Sequence, residues 1–460
     1  MSDTILAIDI GSTKVCAVIA EIEEGRVQIQ GHGVAKSQGV KKGAITNIEL
    51  ASKAVKKAIS DAKRIAGSNI SSAVVSISNV HAKGLNSTGV VNIPNKDISI
   101  KEINRVMQTT LYNANIPNDY EVIHVLPYNF RVDDQDFVED PFSMNATRME
   151  VDVNIILAQK SNLLNLKKTI RSAGVEIDSI VLNGYASAIA TIDPDERELG
   201  AAVIDLGGQT SNLVIHTGNA VRYNDFLGVG SNHITNDLSM ALHTPLNIAE
   251  QVKIQHGHLV EISHDIVDLP IIGDEENRKG VSLEVVHSVI FARVEEALSI
   301  LERSLEKSGF KKQIGTGIIL TGGMTKLQGI RELAQSIFPA MPVRIGKPNN
   351  IGGLFAELKD PAFSTVIGLL LYKSGKHTQY EIDFEQELLH SKTLYEENLS
   401  DIKIANSSQR SEVLHEPKPE RKAKSESEDA NAFSFDDLPD IGNDVNNPFK
   451  KLANWARQLF

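Results

Sequence analysis

The sequence lacks several features that define common protein classes. It has one cysteine, Cys16, among 460 residues, which excludes an internal disulfide and a cysteine-rich zinc cluster. No apolar run approaches the roughly 18 residues of a membrane-spanning helix. The first residues have no basic stretch and no apolar core, so we expect no export. Acidic residues outnumber basic ones by 59 to 47, and this balance argues against a nucleic-acid-binding surface, which needs a basic footprint.

The charge that is present is unevenly distributed. Residues 376–446 contain 17 acidic and 8 basic residues, a net charge of −9, whereas residues 447–460 contain three basic residues and no acidic one. The preceding 375 residues are only mildly acidic, and the overall content of 41% apolar residues is ordinary for a globular protein. The chain therefore divides into a body, an acidic linker and a small basic tip.

The segment 376–446 has the composition of a disordered linker. Residues 416–429 contain no hydrophobic side chain beyond one alanine, and such a stretch cannot offset the entropy lost on ordering. The aromatic and acidic patch at 433–441 allows two interpretations. It is either a short partner-binding motif or, as we favour, part of a solvated linker.

The tip, residues 447–460, is predicted to form an amphipathic helix. Asn447 and Pro448 suit its first positions. At 100° per residue one face carries the large apolar side chains Phe449, Leu452, Trp455, Leu459 and Phe460. The cations on or beside the other face are Lys450, Lys451 and Arg457. This pattern is typical of a helix lying in an anionic lipid headgroup layer. The alternative is docking on the protein's own core, which the long linker disfavours.

Two similar strand–turn–strand units occur in the body, 196 residues apart. In the first, strands at 4–9 and 15–20 flank a turn, and in the second, strands at 201–205 and 212–216 do so. Each unit places an aspartate at the end of its first strand, a glycine two residues later and hydroxyl side chains next. This repetition predicts two related halves.

The composition of these turns suits a phosphate ligand. Glycines let backbone N–H groups approach a phosphate, and hydroxyls add donors. The candidate phosphate-binding residues are Gly11, Ser12, Thr13 and Lys14 in the first turn and Gly207, Gly208, Gln209 and Thr210 in the second. Asp9 and Asp205 would repel phosphate directly, so we expect them to act through Mg²⁺ that keeps most of its water. A solvated strand lysine is nearly as good an interpretation of Lys14.

A third glycine-rich turn follows a strand at 317–321. It contains Gly322 and Gly323, and a helix is predicted at 329–337. A helix start after glycines is a natural site for an anion or a ribose. One such turn is weak evidence, but three in this order are fairly specific.

Taken together, these motifs resemble those of the actin-like ATPase superfamily, and more closely the FtsA family of bacterial cell-division proteins. The resemblance covers 1–375 in order and spacing and recurs at the chain's end. It implies an α/β, two-lobed actin-like ATPase fold with an α+β insert, a disordered acidic linker and a C-terminal amphipathic helix. The implied boundaries are lobe 1 at 1–83 and 163–198, the insert at 84–162, the lobe 2 core at 199–230, its outer subdomain at 231–312, lobe 2 and a return to lobe 1 at 313–375, the linker at 376–446 and the tip at 447–460.

The resemblance also implies roles for single residues. Glu250 and Lys253 match positions that flank the base and ribose of ATP, although an exposed ion pair is the simpler interpretation. Asn183 stands where relatives often carry a side chain that orients the attacking water. An amide is a poor proton acceptor, so ATP binding is better supported than fast hydrolysis. Arg293 is our choice for contacting the C-terminal peptide of FtsZ, and a solvated helix arginine is the alternative.

The function implied is that of an ATP-binding protein that polymerises at the cytoplasmic face of the membrane and anchors FtsZ at the division septum. Self-association would use the insert, which the family also uses to recruit other division proteins. A sugar kinase of the same superfamily would need a catalytic aspartate that the sequence does not offer. A pilus-assembly relative would share the body but lack the tip.

Overall fold

The computed structural model describes residues 3–78, 80, 82–218 and 220–390, so the predicted tip lies outside the described residues. The strands are β1 Asp3–Ile10, β2 Lys14–Glu23, β3 Arg26–Lys36, β4 Val40–Lys41, β5 Ala44–Ile45, β6 Ser72–Ile77, β7 Ala82–Asn92, β8 Tyr120–Val132, β9 Gln135–Val138, β10 Arg148–Gln159, β11 Glu176–Leu182, β12 Ala201–Leu206, β13 Ser211–Thr217, β14 Ala220–Leu227, β15 Ile266–Ile271, β16 Asp274–Ser282, β17 Ile318–Thr321, β18 Val343–Ile345, β19 Glu381–Ile382 and β20 Leu388–Leu389. The α-helices are α1 Ile48–Ala66, α2 Ile100–Asn113, α3 Lys160–Ser172, α4 Asn183–Thr191, α5 Pro194–Leu199, α6 Ser231–Leu242, α7 Leu246–His256, α8 Leu283–Lys307, α9 Ile330–Ile337 and α10 Ser364–Leu371.

Two five-stranded sheets share one topology. The first has the order β11-β6-β1-β2-β3 and the second the order β18-β17-β12-β13-β14. In each, the central strand pairs antiparallel with the strand that follows it and parallel with a later one. Asp9 lies opposite Cys16 in the first sheet, and Asp205 lies opposite Asn212 in the second. The predicted duplication is confirmed, with the two aspartates at equivalent positions.

The central strands are buried, which explains their continuous apolar sequences. Every residue of β12 is buried, as is most of β1, because helices cover these sheets. Helix α1 is a clear example of such packing. The Asn47 side chain accepts a hydrogen bond from the Leu50 N–H at its start, and Gly67 ends it in the left-handed conformation with φ 67°. Its small buried side chains, chiefly alanines, let it lie close to β2 and β3.

The insert forms a separate sheet in the order β20-β19-β8-β10-β7, with β9 paired to β8. Helix α2 packs against β7 and β10. Ser99 precedes this helix and forms a capping box with Glu102, which fixes where the helix begins. The α+β character expected of the insert is confirmed by α2 together with β8 and β10.

The predicted start of the linker at 376 is wrong. Strand β19 pairs with β8 through Ile382 and Val125, and β20 pairs with β19. Glu381 and Ile382 are fully buried. The acidic composition of this stretch concealed a structural segment, since one of its carboxylates is buried in a hydrogen-bonded network. The remainder of the predicted linker, from 391 onward, lies outside the described residues.

The second half carries an outer layer made of α6, α7, α8 and the β15–β16 hairpin. Helix α8 buries an apolar stripe that includes Ile290, Val294 and Leu298 against this half's core. Over the residues that the structure describes, no helix is long and apolar enough to cross a membrane.

Candidate nucleotide site

The two glycine-containing turns have the same local geometry. In the first, the Gly11 N–H donates to the Lys14 carbonyl at 3.0 Å, and in the second, the Gly207 N–H donates to the Thr210 carbonyl at 2.9 Å. Each turn joins the central strand of its sheet to the following antiparallel strand. Ser12 is half-buried in the first turn. The sequence repeat therefore corresponds to the same strand–turn–strand unit, which occurs once in each half.

Hydroxyl groups hold both aspartates in place. Ser76 Oγ donates to Asp9 Oδ1 at 2.8 Å and accepts from the Ile10 N–H at 3.1 Å. Ser187 Oγ donates to Asp205 Oδ2 at 2.7 Å, and Thr365 Oγ1 lies 3.3 Å from the same oxygen. Sequence reasoning missed these three hydroxyl residues, because they are far from the turns along the chain and belong to no local motif.

The two aspartates share one electrostatic environment. Burial raises the pKa of both Asp9 and Asp205 above the ordinary value of 3.8. The Asp205 carboxylate raises the pKa of Asp9 further, and the Lys14 ammonium lowers the pKa of both. Asp9 therefore interacts electrostatically with Asp205, and both aspartates interact with Lys14.

Other contacts bring the two turns together. A Cβ added to Gly208 would collide with Thr13 Oγ1, and that hydroxyl lies 3.5 Å from Asn232 Oδ1 at the start of α6. Gln209 Oε1 accepts from the Lys42 N–H at 2.7 Å. The two turns are therefore in direct contact where the two halves meet.

Lys14 is engaged and is not the solvated strand lysine considered as an alternative. Its ammonium group donates to the Ala362 carbonyl and lies 4.3 Å from the centre of the Phe363 ring. Both partners belong to the segment that returns to the first half. Lys14 therefore contributes positive charge beside the aspartates from a fixed position.

The third glycine turn packs directly against the second aspartate. Gly322 has φ 90°, and a Cβ there would collide with Asp205 Oδ1 and the Leu206 backbone. The helix predicted at 329–337 is confirmed as α9, but it does not begin directly after the double glycine. A single 3-10 turn begins at Gly323, Leu327 is extended, and α9 starts only after Gly329. The double glycine therefore supplies a close backbone approach to Asp205 and not a helix terminus.

Glu250 and Lys253 lie on one face of α7, as their spacing predicted. Lys253 is only 8% exposed, and its Nζ donates to Glu250 Oε2 at 2.6 Å and to Thr235 Oγ1 at 2.9 Å. It also donates to the Ser231 carbonyl at 3.1 Å. An exposed ion pair does not describe this lysine, which ties α7 to the start of α6.

Asn183 begins α4 directly after β11. Strands β11, β6 and β1 run parallel, so their carboxyl ends meet at the sheet edge that carries Asp9. The Oδ1 atom of Asn183 is buried and has no hydrogen-bond partner. An unpaired buried amide oxygen at this edge is consistent with the expected role of holding a water molecule.

The donor set fits Mg²⁺ that keeps most of its water. Within the described ranges, no group of three or more histidine, cysteine or acidic side chains could enclose a metal ion. Asp9 and Asp205 supply two hard oxygen ligands, which suit an ion that is otherwise bound by water and phosphate oxygens.

Arg293 lies away from the cleft on α8 and is already paired. Its guanidinium group donates twice to Asp237 of α6, at 2.6 and 3.1 Å, and once to Glu296 at 2.6 Å. These bonds raise the pKa of Arg293, with the Asp237 hydrogen bond as the main cause. The side chain is neither freely solvated nor open, so a partner would have to compete with Asp237.

Gly230 provides a stability test of the second turn. A Cβ at Gly230 would lie 2.5–2.8 Å from the Gly207 carbonyl oxygen and from backbone atoms of Gly208 and Gln209. We expect Gly230→Ala to cost about 1–3 kcal/mol of unfolding free energy, because helix α6 must move off the turn. Thermal unfolding measures this loss. Gly228→Ala is the matched control, since its Cβ would meet open space, and equal losses in both variants would contradict the prediction.

Solved structures define the class of protein to which this architecture belongs. The structure resembles a "PilM-PilN type IV pilus biogenesis complex" chain with TM-score 0.58 and 17% identity, covering 80% of this chain and 98% of that chain. It also resembles MreB5 of Spiroplasma citri bound to ADP, with TM-score 0.50 and 14% identity, covering 81% and 97%. These likenesses concern the fold, which is the two-lobed actin-like fold with an added insert.

The sequence comparisons identify the family within this class. A family model described as cell division protein FtsA matches residues 202–368, and one for the SHS2 domain inserted in FtsA matches 79–157. Cell division protein FtsA of Helicobacter pylori J99 is 41% identical, covering 83% of this chain and 84% of the relative. Those of Pseudomonas aeruginosa and Escherichia coli K12 are 35% and 30% identical, over 81% and 84% of this chain and 90% and 94% of theirs. The chain belongs to the FtsA family of cell-division proteins.

Proposed function

We propose that this chain is an ATP-binding, polymerising protein that holds FtsZ filaments to the cytoplasmic face of the membrane at the division septum. The observation that carries the proposal is the pair of aspartate-and-glycine turns, which come from two equivalent sheets and contact each other. Family membership supports the division role, and the sequence of residues 447–460 supports membrane attachment. Later division proteins would be recruited to the same polymer.

The nucleotide would lie between the two turns. Backbone N–H groups of 12–14 and of 208–210 would hold the phosphates, while those of Gly11 and Gly207 close the two turns. Asp9 and Asp205 would hold hydrated Mg²⁺, which neutralises phosphate charge. Gly322 and Gly323 would border the adenosine, together with Glu250 and Lys253. Asn183 would position a water molecule without accepting its proton, so we expect slow hydrolysis at most.

Membrane attachment would depend on assembly. The tip has five large apolar side chains and three cations, so a single copy should bind an anionic surface only weakly. Many copies on one polymer raise the effective concentration of tips at the surface and would bind firmly. ATP would act by favouring the closed, polymerising state of the two halves.

The partner surfaces are also part of the proposal. The insert presents a separate sheet for contacts between copies and with other division proteins, as the family resemblance implies. The outer layer of the second half would receive the acidic C-terminal peptide of FtsZ at Arg293. That peptide would displace Asp237 or Glu296 from the guanidinium group, which is an exchange between like charges with a small net energy.

Recruitment of FtsZ to lipid vesicles tests the proposed function. We expect labelled FtsZ to sediment with anionic vesicles only when this chain and ATP are present, because neither FtsZ nor the vesicle supplies the link. FtsZ without its C-terminal peptide is the matched control and should stay in the supernatant. Sedimentation of FtsZ to the same extent without this chain, or of the truncated FtsZ to the same extent as the intact protein, would contradict the proposal.

A further inference from the structure

A buried polar cluster lies outside the nucleotide cleft, where the insert meets the first half. His124 and Glu381 are completely buried, and Tyr185 and Tyr372 are 1% and 2% exposed. His124 belongs to β8 of the insert, Tyr185 to α4, Tyr372 to the turn that ends α10, and Glu381 to β19. Nothing in the proposed nucleotide chemistry uses these four side chains.

The hydrogen bonds of the cluster are mutually consistent. The Leu182 N–H donates to His124 Nε2 at 3.1 Å, so the imidazole proton is on Nδ1 and points to Glu381 Oε1 at 2.6 Å. Tyr372 donates to Glu381 Oε1 at 2.8 Å, and Tyr185 donates to Glu381 Oε2 at 2.9 Å. One carboxylate therefore accepts from three donors, which compensates its complete burial.

The tyrosines keep the protons that this arrangement needs. Burial and the Glu381 carboxylate raise the pKa of Tyr185 and of Tyr372 well above 10. Tyr185 is further fixed because its oxygen accepts from the Thr378 N–H at 2.7 Å. The His124 ring meets both tyrosine rings edge to face, at 5.3 and 5.9 Å between ring centres. The cluster has one rigid arrangement, since each of these polar groups is tied to a specific partner.

The same two helices reach the nucleotide cleft. Ser187 of α4 and Thr365 of α10 both contact Asp205 Oδ2 and each other. Helices α4 and α10 cross so closely that a Cβ on Gly368 would overlap the Ala186 backbone. One helix pair therefore holds the metal-binding aspartate of the second half and, through Tyr185 and Tyr372, the buried carboxylate next to the insert.

We propose that His124, Glu381, Tyr185 and Tyr372 form a positioning joint that transmits nucleotide binding from the cleft to the inserted subdomain. The hydrogen bond from the Leu182 peptide to His124 fixes the start of α4, and thereby Asn183, to the insert. When ligand binds at Asp205, a shift of α4 against α10 also moves β8, because the hydrogen bonds of this cluster connect both helices rigidly to His124. The inference rests on the proposed nucleotide binding and names how the insert responds to it.

Hydrogen–deuterium exchange of the full chain, with and without Mg²⁺ and a non-hydrolysable ATP analogue, tests this joint. We expect the analogue to protect residues 10–14 and 206–210 and also strand β8. In Tyr372→Phe and in Tyr185→Phe, the turns should remain protected while the protection of β8 is lost. Tyr223→Phe is the matched control, because it removes a hydroxyl that is bonded to Asp225 and Ser304 elsewhere. It should behave like the parent chain.

The outcomes separate the two proposals. No protection of the turns in the parent chain would overturn the proposed nucleotide site itself. Protected turns without a change in β8, or protection of β8 that survives in both tyrosine variants, would overturn the joint alone. Circular dichroism shows whether each variant is folded. Even if neither variant folds, an unchanged β8 in the parent chain would overturn the joint.

Discussion

Replacing Asp205 by Asn is expected to weaken the binding of Mg·ATP about ten- to hundredfold. A charge-assisted interaction of this kind contributes about 1.5–3 kcal/mol, and an amide cannot supply the same charge to a hydrated Mg²⁺. Isothermal titration calorimetry with ATP and excess Mg²⁺ measures the change. Because the effect acts through the metal, the parent and the variant should bind ATP about equally weakly when EDTA replaces Mg²⁺.

Stability separates this effect from misfolding. The native pKa of Asp205 is raised, so its protonated form is favoured in the fold, and the parent loses stability as pH rises from about 4 through the native pKa. The amide that replaces this carboxyl in the variant would stay neutral at every pH. The melting temperature of nucleotide-free Asp205→Asn should therefore match the parent near pH 4 and exceed it at pH 7.

Asp178→Asn is the matched control for charge. Asp178 lies in β11 and pairs with Lys373 at 2.7 Å, with nearly half of its side chain exposed. This substitution removes the same charge from the other half of the protein without touching the cleft, and it should leave Mg·ATP affinity unchanged. An Asp205→Asn variant that binds as tightly as Asp178→Asn would show that Asp205 takes no part in holding the metal.

The sequence predicts the framework of this cleft because the repeated units are local. A buried strand, a glycine turn and a second strand are each recognisable within about ten residues, and their recurrence predicts the second sheet. The hydroxyls of Ser76, Ser187 and Thr365 are different. They reach the aspartates only through tertiary packing, and no local pattern of residues marks these hydroxyls as partners of an aspartate.

Segment 376–390 shows why composition misleads at a boundary. Its acidic residues indicate a solvated linker, and most of the stretch beyond it has the same composition. Glu381, however, is buried among three donors that come from β8, α4 and the end of α10. These partners are up to 257 residues away along the chain, so the sequence contains no local sign of a satisfied buried charge.

The two sets of contacts together suggest how nucleotide state would be read. Ser187 and Thr365 contact Asp205, whereas Tyr185 and Tyr372 contact Glu381 beside the insert. All four residues lie on α4, on α10 or at the end of α10. The aspartates are costly when empty, because burial opposes their ionisation. Ligand binding would remove this cost, and the free energy gained could shift the packing of α4 against α10.

Replacing Trp455 by Glu is expected to abolish sedimentation with anionic vesicles. Trp455 is the largest side chain on the apolar face of the predicted tip and lies at one edge of that face, and full burial of a large apolar side chain is worth about 1.5–3 kcal/mol. A glutamate there removes this gain, places a charge at the hydrocarbon boundary and repels anionic headgroups. A single tip binds only marginally, so losing this burial energy should prevent binding even when many tips act together on one polymer.

Gln458→Glu is the matched control, because it adds the same charge on the polar face. It should weaken sedimentation by about the 1 kcal/mol that one charge contributes near an anionic surface. Removal of 447–460 should abolish sedimentation as completely as Trp455→Glu, with Mg·ATP affinity intact in all three variants. Equal sedimentation of the shortened and full chains would show that the membrane contact lies elsewhere. Equal losses in Trp455→Glu and Gln458→Glu would show that charge alone, and not an apolar face, governs the attachment.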